Sequence, residues 1–446
     1  MTQYAVVNPA NGEQVETYPT YTDGQVLDAV GRAHGAYRAL ARTTTVGERA
    51  ELVGRVGELH TERRQELAEA MVREVGKPPE DALGEADFNV AIYAYYAENA
   101  EAFLADEPIA LLEGAGSAVV KKRPLGVLLG IMPWNSPAYQ VARFAGPNLA
   151  AGNTILLKHA PQCPGSAALL EQIFADACFP AAAYVNIYAS NEQVERVIAD
   201  ARIQRVADRL GAGIRRGRRG SGPSPEEGRP RAGWLGPLHR PLDRRPRRHR
   251  RGCGCRAARQ HWTGLQCRQA GDRPREPVRR LPHPVHRADA GNAAAPLSSE
   301  TAAQRLEAQV SSAVAAGASL ASAGERRGAW FAPGVPTGVQ PAHEAYWAEL
   351  FGPVAMVFKA RDEVEAVAIA NDTPYGLGSY LFTTPPEQAV RVADQVEAGM
   401  VSSMASGPRA QSCPSVASSA PGSDANLAAT ASRSSSTASW FALSPE

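Results

Sequence analysis

Apolar positions in residues 1–204 follow regular periods that predict an α/β fold. Between residues 50 and 76 apolar side chains recur at helical spacing, with charged residues between them. Further along, continuous apolar runs alternate with helical stretches, which is typical of a doubly wound parallel sheet. The predicted strands are residues 119–126, 127–132, 154–157 and 184–188, and the predicted helices are residues 138–149, 166–178 and 192–199.

The regular pattern stops at residues 205–290. This stretch contains 23 Arg, 10 Pro and no Lys, and arginine runs such as residues 244–248 follow neither a helical nor a strand period. Proline at this density interrupts both helices and sheets. We therefore expect residues 205–290 to be disordered.

Regular patterns return after this stretch. They predict helices at residues 304–316 and 363–370, a strand at residues 353–359 and a turn at residues 371–376. Residues 405–446 contain 12 Ser, a low-complexity composition that favours disorder. The sequence therefore predicts four segments, at residues 1–204, 205–290, 291–404 and 405–446.

The net charge of +1 conceals an asymmetry, because residues 205–290 hold 23 Arg against 7 Asp and Glu. No apolar run reaches 18 residues, so we expect no membrane span, and the N-terminus lacks a signal-peptide pattern. The six cysteines suggest no disulfide framework, which favours a cytoplasmic location. Cys253 and Cys255 are too close together for a zinc knuckle, and we predict no metal site.

Several short motifs occur in the ordered segments. These are Asn8–Gly12, Gly76–Pro78, Pro133–Asn135, Glu349–Pro353 and Asn371–Leu377. In this order and spacing they resemble the aldehyde dehydrogenase family, over residues 4–204 and roughly 294–401. The run Leu157–Pro161 is similar to the succinate-semialdehyde dehydrogenase branch. The resemblance implies a cofactor-binding domain in residues 1–204, with an oligomerisation strand near residues 119–126, and a remnant of the catalytic domain in residues 291–404.

The resemblance also implies roles for individual residues. The Asn135 amide is expected to help form the oxyanion hole, although Asn135 alone could equally be a turn residue. Pro133 and Trp134 are expected to line the cofactor site, with a core role as the alternative for Trp134. Lys158 ends an apolar strand, where a doubly wound sheet binds its ligand, and the family uses this Lys on the adenosine ribose. A strand-end Lys by itself is more often merely solvated.

Three further residues match the family's ligand contacts. Glu349 and Phe351 correspond to its contacts with the nicotinamide ribose and ring. Arg143 corresponds to the arginine that pairs with the substrate carboxylate, a bidentate contact suited to guanidinium, with a surface arginine as the alternative. The implied cofactor is NAD or NADP, and the implied substrate is a small aldehyde.

Two residues that the family reaction needs are missing from the sequence. In the family a cysteine thiolate attacks the aldehyde, hydride passes to the cofactor, and a glutamate activates the water that hydrolyses the thioester. The corresponding motifs, T-G-Q-x-C and E-L-G-G, are absent, and both belong within residues 205–290.

A shifted reading frame accounts for this absence. Residues 260–271 can be back-translated so that reading one nucleotide later gives S-T-G-Q-A-C-N-A-A-K-R, the nucleophile motif. The same offset can recover the glutamate motif from residues 231–241 and a cofactor-loop motif from residues 205–213, and the other offset recovers a closing motif from residues 413–426. Cys267 is then an accidental neighbour of the family nucleophile. We interpret residues 205–290 and 405–446 as frameshifted.

The sequence thus predicts an NAD(P)-dependent oxidoreductase of succinate semialdehyde by family resemblance, inactive as written. The alternative is an arginine-rich nucleic-acid-binding insert in a cofactor-fold scaffold. It is the weaker interpretation, because the segment replaces enzyme parts instead of adding to them, so we expect no nucleic-acid or membrane partner. Family members form homo-oligomers partly through C-terminal strands, and the altered C-terminus argues against such assembly here.

Overall fold

A parallel four-stranded sheet forms the centre of the first of two units in the computed structural model. The structure describes residues 4–110, 117–208, 264–266, 295–383, 385–404 and 441–442. Of these, residues 4–8, 13–110 and 117–208 belong to the first unit, and the others belong to the second.

The first unit begins with a hairpin and a group of helices, and alternates strands and helices after residue 126. Its strands are β1 (Tyr4–Val7), β2 (Gln14–Tyr18), β3 (Glu107–Ile109), β4 (Ala118–Val120), β5 (Val127–Ile131), β6 (Thr154–Lys158), β7 (Tyr184–Asn186) and β8 (Ile203–Asp208). Its helices are α1 (Asp23–Thr43), α2 (Val46–Glu62), α3 (Arg64–Val75), α4 (Pro79–Leu104), α5 (Pro137–Ala150), α6 (Pro164–Asp176) and α7 (Asn191–Ala199).

The central sheet has the strand order β7-β6-β5-β8, and each neighbouring pair is parallel. Helices α5, α6 and α7 connect its successive strands. Strands β5 and β6 are buried at every position, which explains why their sequences are continuous apolar runs. The doubly wound parallel α/β arrangement predicted from these runs is confirmed.

Alternate side chains of β5 and β6 enter two separate cores. Leu129 and Leu156 pack with apolar residues of α1 and α7 on one face. Ile155 and Leu157 pack on the other face with residues of α2 to α6. Because helices cover both faces, the carboxyl ends of the strands are left as the edge where loops can build a site.

Gly130 in β5 allows α5 to lie close to the sheet. A Cβ atom at this position would stand 2.7 Å from Phe144 Cε1 and 2.9 Å from Leu157 Cδ1, both too near for any side chain. The absence of a side chain at Gly130 therefore sets the spacing between β5 and the helix that follows it.

Two predicted elements of the first unit differ from the structure. The helix predicted over residues 50–76 is two helices, because Arg63 leaves the helical conformation at φ −103° and ψ 21° and its guanidinium pairs with Asp176 on α6. The strand predicted over residues 119–126 is limited to β4, which pairs with β3. The ladder ends at Val120 because its partner β3 begins at Glu107, shortly after α4 ends at Leu104.

The second unit contains shorter elements. Its strands are β9 (Gly264–Gln266), β10 (Ser319–Ser322), β11 (Gly334–Thr337), β12 (Ser379–Phe382), β13 (Val401–Met404) and β14 (Phe441–Ala442). Its helices are α8 (Glu300–Ala315), α9 (Glu363–Asn371) and α10 (Pro386–Ala393), with a 3-10 helix at Glu344–Trp347. Strands β14-β13-β12-β9 form a parallel sheet, and β10 and β11 form an antiparallel pair.

The strand predicted over residues 353–359 is not formed. Val354 and Val357 make only isolated bridges, to Gly334 and Thr337. The Val354 N–H donates locally to Gly352 O at 2.7 Å, and Pro353 has no N–H, so a continuous ladder cannot form here.

Two described stretches lie within residues 205–290, for which the sequence predicts disorder. Residues 205–208 complete β8, which pairs along β5, and β9 pairs with β12. Within residues 405–446, β14 pairs with β13. In each case a neighbouring strand supplies backbone partners that composition does not reveal. The remaining residues of both ranges lie outside the described residues. No described helix is long and apolar enough to cross a membrane.

Candidate active site

The turn between β5 and α5 carries Pro133, Trp134 and Asn135, all half-buried at the carboxyl end of β5. The Met132 N–H donates to Lys158 O at 3.1 Å, which ties the start of this turn to the end of β6. Ile131 and Lys158 are paired in the sheet register. Asn135 therefore lies shortly after the end of β5, and Lys158 ends the adjacent strand β6 at the same edge of the sheet.

A buried ion pair lies behind the turn. Lys77 and Glu85 are 7% and 5% exposed, and their side chains are paired. Lys77 Nζ also donates to Asn135 O at 3.5 Å. Glu85 Oε1 accepts the backbone N–H groups of Ala138 and Tyr139, at 3.0 Å and 2.9 Å, in the first turn of α5. The pair thus contacts the backbone on both sides of Ser136.

A second buried carboxylate occupies the equivalent place on the next helix. Glu74 of α3 accepts the N–H groups of Gly165 and Ser166, at 2.6 Å and 3.2 Å, at the start of α6, and it also accepts the Ser166 hydroxyl. Burial raises the pKa of Glu74 to about 7, while these hydrogen bonds oppose the rise. Because protein carboxylates already fill the N-termini of α5 and α6, neither is available to a phosphate group.

Trp134 packs against a small buried cluster that includes Cys163 at the start of α6. Burial raises the pKa of the Cys163 thiol well above its usual value, and the charges of Glu74 and Glu85 act in the same direction. A thiol held in its neutral form is a poor nucleophile. Cys163 is therefore a packing residue of the site.

Lys158 is a buried cation, 3% exposed, at the end of β6. Its Nζ lies 5.9 Å from the centre of the Tyr4 ring, a cation–π contact. Burial lowers the pKa of Lys158 to about 8, and no carboxylate among the described residues forms an ion pair with it. The Nζ can therefore donate to hydroxyl or phosphate oxygens of a ligand, which fits an adenosine ribose or its 2′-phosphate.

Arg143 lies exposed on α5, and its guanidinium stands 5.2 Å from the centre of the Tyr139 ring, one turn earlier. Phe88 of α4 packs against Tyr139, with the two ring centroids 5.3 Å apart. An aromatic ring under a guanidinium restricts its plane while leaving the N–H groups available. The arrangement fits a carboxylate-binding arginine.

Glu349 and Phe351 belong to the second unit. Glu349 is buried and its backbone oxygen accepts from Gln309 at 3.3 Å, while Phe351 is half-buried. Between Phe351 and Pro353, Gly352 passes so close to Leu306 that a Cβ atom would meet Leu306 Cδ2 at 2.0 Å. This approach holds the segment firmly against α8.

The aldehyde dehydrogenase family model matches residues 1–207 and 278–414 of the sequence. The chain belongs to the aldehyde dehydrogenase family. The match includes all the site residues described above and leaves residues 208–277 unmatched.

Curated relatives of this aldehyde dehydrogenase chain carry one recurrent name. An NADP(+) succinate-semialdehyde dehydrogenase of Deinococcus radiodurans is 39% identical over 428 residues, which cover 89% of this chain and 86% of the relative. One of Mycolicibacterium paratuberculosis is 33% identical over 418 residues, covering 89% and 87%.

Two solved structures of succinate-semialdehyde dehydrogenases are also similar to this chain. Succinic semialdehyde dehydrogenase from Streptococcus pyogenes, in complex with NADP+, is similar with a TM-score of 0.72 and 27% identity, covering 90% of both chains. Succinate-semialdehyde dehydrogenase from Burkholderia pseudomallei has a TM-score of 0.71 and 26% identity, covering 90% of this chain and 86% of that one.

The family's catalytic cysteine has no counterpart among the described residues. Cys163 is buried, and Cys178 is exposed just beyond the end of α6. The shifted frame places the nucleophile codon across Leu265 and Gln266, which lie in β9, whereas Cys267 and the Glu motif of residues 231–241 lie outside the described residues. No cluster of three metal-ligating side chains occurs in the part of the chain that the structure describes.

Sequence reasoning overlooked Glu85 as part of the site and used Lys77 only as a motif residue. A signal for Glu85 is present, because the buried residues of α4 recur at helical spacing and Glu85 lies among them. These residues are Ala82, Glu85, Ala86, Asn89 and Tyr93. A carboxylate on the apolar face of a helix needs a buried partner. The partner itself, on the loop before α4, cannot be read from periodicity.

Proposed function

We propose that this chain descends from an enzyme that oxidises succinate semialdehyde to succinate with NADP, and that the chain as written does not complete the reaction. The observation that carries the proposal is the position of Asn135 and Lys158 at the ends of adjacent strands. They provide a neutral amide donor and a buried cation at the edge where an α/β sheet binds its ligand.

The buried Lys158 supports a phosphorylated cofactor. NAD offers this cation two ribose hydroxyls, whereas NADP offers a 2′-phosphate, which compensates a desolvated ammonium better. The two curated relatives described above are named for NADP(+). When bound, the nicotinamide ring accepts the hydride, and Glu349 and Phe351 are the residues we assign to its ribose and ring.

Arg143 supports a substrate that carries a carboxylate. Its guanidinium rests on the Tyr139 ring with its N–H groups exposed, and two parallel hydrogen bonds to a carboxylate would orient the aldehyde end of a short chain. The Asn135 amide would then donate to the oxygen as negative charge develops on it.

The missing nucleophile and base set the limit of this function. Without a thiolate no covalent intermediate forms, and without the glutamate no positioned base activates water. Both motifs are expected within the range that the family model leaves largely unmatched. We further propose a cytoplasmic location, and we assign the exposed β3–β4 ribbon to the lineage's oligomerisation contact.

Restoring the reading frames of the two altered segments tests the proposal. The restored chain is expected to reduce NADP+ with succinate semialdehyde and to prefer it over butyraldehyde, which lacks the carboxylate. Arg143→Met should remove this preference by weakening succinate semialdehyde alone, by about 10- to 100-fold in kcat/KM. A restored chain that oxidises both aldehydes equally, or neither, would refute the proposed substrate.

A further inference from the structure

The turn that carries Asn135 is held from behind by side chains of two other elements. Ser136 is the N-cap of α5, yet its side chain makes no capping hydrogen bond. The capping acceptor is instead Glu85 of α4, which binds the N–H groups of Ala138 and Tyr139. The first N–H groups of α5 are therefore satisfied by a side chain of a different helix and not by their own N-cap residue.

Lys77 completes this arrangement. Its ammonium neutralises Glu85, so that a buried carboxylate is tolerated, and its remaining donor capacity reaches Asn135 O at 3.5 Å. One buried pair thus contacts the chain before and after Ser136. The side-chain amide of Asn135 projects from a backbone segment whose two ends are both held.

We infer that the Lys77–Glu85 pair is a positioning device that fixes the backbone of residues 135–139 and so aims the Asn135 amide. The inference rests on the proposed role of Asn135 and extends it to two residues that touch neither aldehyde nor cofactor. A donor aimed at developing charge is effective only if it is held before the charge appears, and a loosely held turn would lose that advantage.

Glu74 provides a matched comparison within the same unit. It is 1% exposed, it caps α6 as Glu85 caps α5, and it comes from the neighbouring helix α3. Its hydrogen bonds among the described residues go to Gly165 and Ser166 and not to the backbone of residues 135–139. Loss of the Glu74 cap should therefore loosen the start of α6 and leave the Asn135 turn unchanged. Loss of the Lys77–Glu85 pair should loosen the Asn135 turn.

The experiment uses the full chain and follows the turn directly. The test variant is Lys77→Met with Glu85→Gln, which leaves no unpaired buried charge and retains an acceptor for α5. Amide hydrogen exchange of residues 133–139 should accelerate by ~10-fold or more, since local opening sets exchange rates. Emission of Trp134, isolated by subtracting the Trp134→Phe spectrum, should shift to the red.

Two companion variants decide the interpretation. Lys77→Arg retains the charge and the donor and should keep both signals close to those of the parent chain. Glu74→Gln should accelerate exchange around residues 165–167 and leave residues 133–139 unchanged. The inference is overturned if the double variant leaves the exchange and emission of the turn unchanged, or if Glu74→Gln alters them equally.

These readouts need neither cofactor nor turnover, so they are independent of the proposed function. The role of Asn135 itself is judged by Asn135→Ala in the frame-restored chain. Full turnover by that variant would refute the oxyanion role and with it the catalytic purpose of the pair. The exchange data would still report whether Lys77 and Glu85 hold the turn.

Discussion

The His159 ring joins the end of β6 to the start of α5, with its Nε2 3.0 Å from Pro137 O. Its Nδ1 lies 2.9 Å from the Ala160 nitrogen and accepts that N–H, so the proton resides on Nε2, which donates to Pro137 O. The side chain is fully buried, and burial lowers the pKa of His159 to about 4. A neutral imidazole thus fixes the site edge beside Lys158.

This burial predicts acid sensitivity. The unfolded chain takes up a proton on His159 near pH 6.5, whereas the folded chain resists it until about pH 4. Stability contributed by the neutral ring is therefore complete above pH 6.5 and is lost as the pH falls towards 4. We expect His159 to account for about 2 kcal/mol of loss in unfolding free energy at pH 5 relative to pH 8, as one share of the pH dependence measured by urea denaturation.

His60 gives the matched control for this effect. It lies on α2 against Tyr93 of α4, burial lowers its pKa to about 4, and its Nε2 has no hydrogen-bond partner among the described residues. His60→Phe should remove one share of the pH dependence without breaking a contact at the sheet edge. Glu74 has the opposite effect, because its raised pKa makes its contribution to stability fall as the pH rises from 4.5 to about 7. The unfolding free energies of His60→Phe and its parent are therefore compared at each pH. Parallel profiles for His60→Phe and its parent would contradict the assignment.

Gly130→Ala should destabilise the first unit. The new methyl group would stand within 3 Å of the Phe144 and Leu157 side chains, so these buried side chains must move, at a cost of about 1–3 kcal/mol. Gly35→Ala is the control, because Gly35 is exposed within α1 with nothing near its added methyl group, and the change should stabilise by up to about 1 kcal/mol. Thermal unfolding of both variants is the measurement. If Gly130→Ala changed stability no more than Gly35→Ala does, the packing of β5 against α5 would not be tight at Gly130.

Lys158→Met should weaken ligands that carry a 2′-phosphate. Adenosine 2′,5′-bisphosphate is expected to lose about 10- to 100-fold in affinity, and 5′-AMP much less, since only the former offers the extra phosphate. Binding of the bisphosphate to the parent chain should also weaken above about pH 8, where the ammonium loses its proton. Titration calorimetry of both ligands gives the comparison, and equal losses for the two would exclude recognition of the 2′-phosphate by Lys158.

The central sheet could be predicted from sequence because strands that are buried on both faces have continuous apolar sequences, such as Val127–Ile131. The position of Lys158 at a strand end could be predicted in the same way, from the apolar run that precedes it. The division of the 50–76 helix at Arg63 could not be predicted, because the apolar periodicity continues through Arg63 and its pairing with Asp176 joins residues far apart in the chain.

Strand pairing by short segments was also beyond sequence reasoning. β9 and β14 have only three and two residues, and each is formed by pairing to an existing parallel strand. Likewise, the Lys77–Glu85 pair joins a loop to a helix through side chains, and no period in the sequence records that contact. Such features depend on tertiary contacts that local patterns do not encode.

The chain as written should not oxidise succinate semialdehyde with either NAD or NADP. Asn135 can stabilise an oxyanion only after a nucleophile has created one, and the buried thiol of Cys163 is held neutral. Cys267 is the cysteine nearest in sequence to the position that the shifted frame assigns to the nucleophile, one residue past it, and attack geometry must hold within about an ångström for such chemistry. Absorbance of the reduced cofactor at saturating aldehyde is the measurement, with Cys267→Ala as the control and the frame-restored chain as the positive reference. Turnover by the chain as written that disappears in Cys267→Ala would show that this cysteine has taken over the reaction.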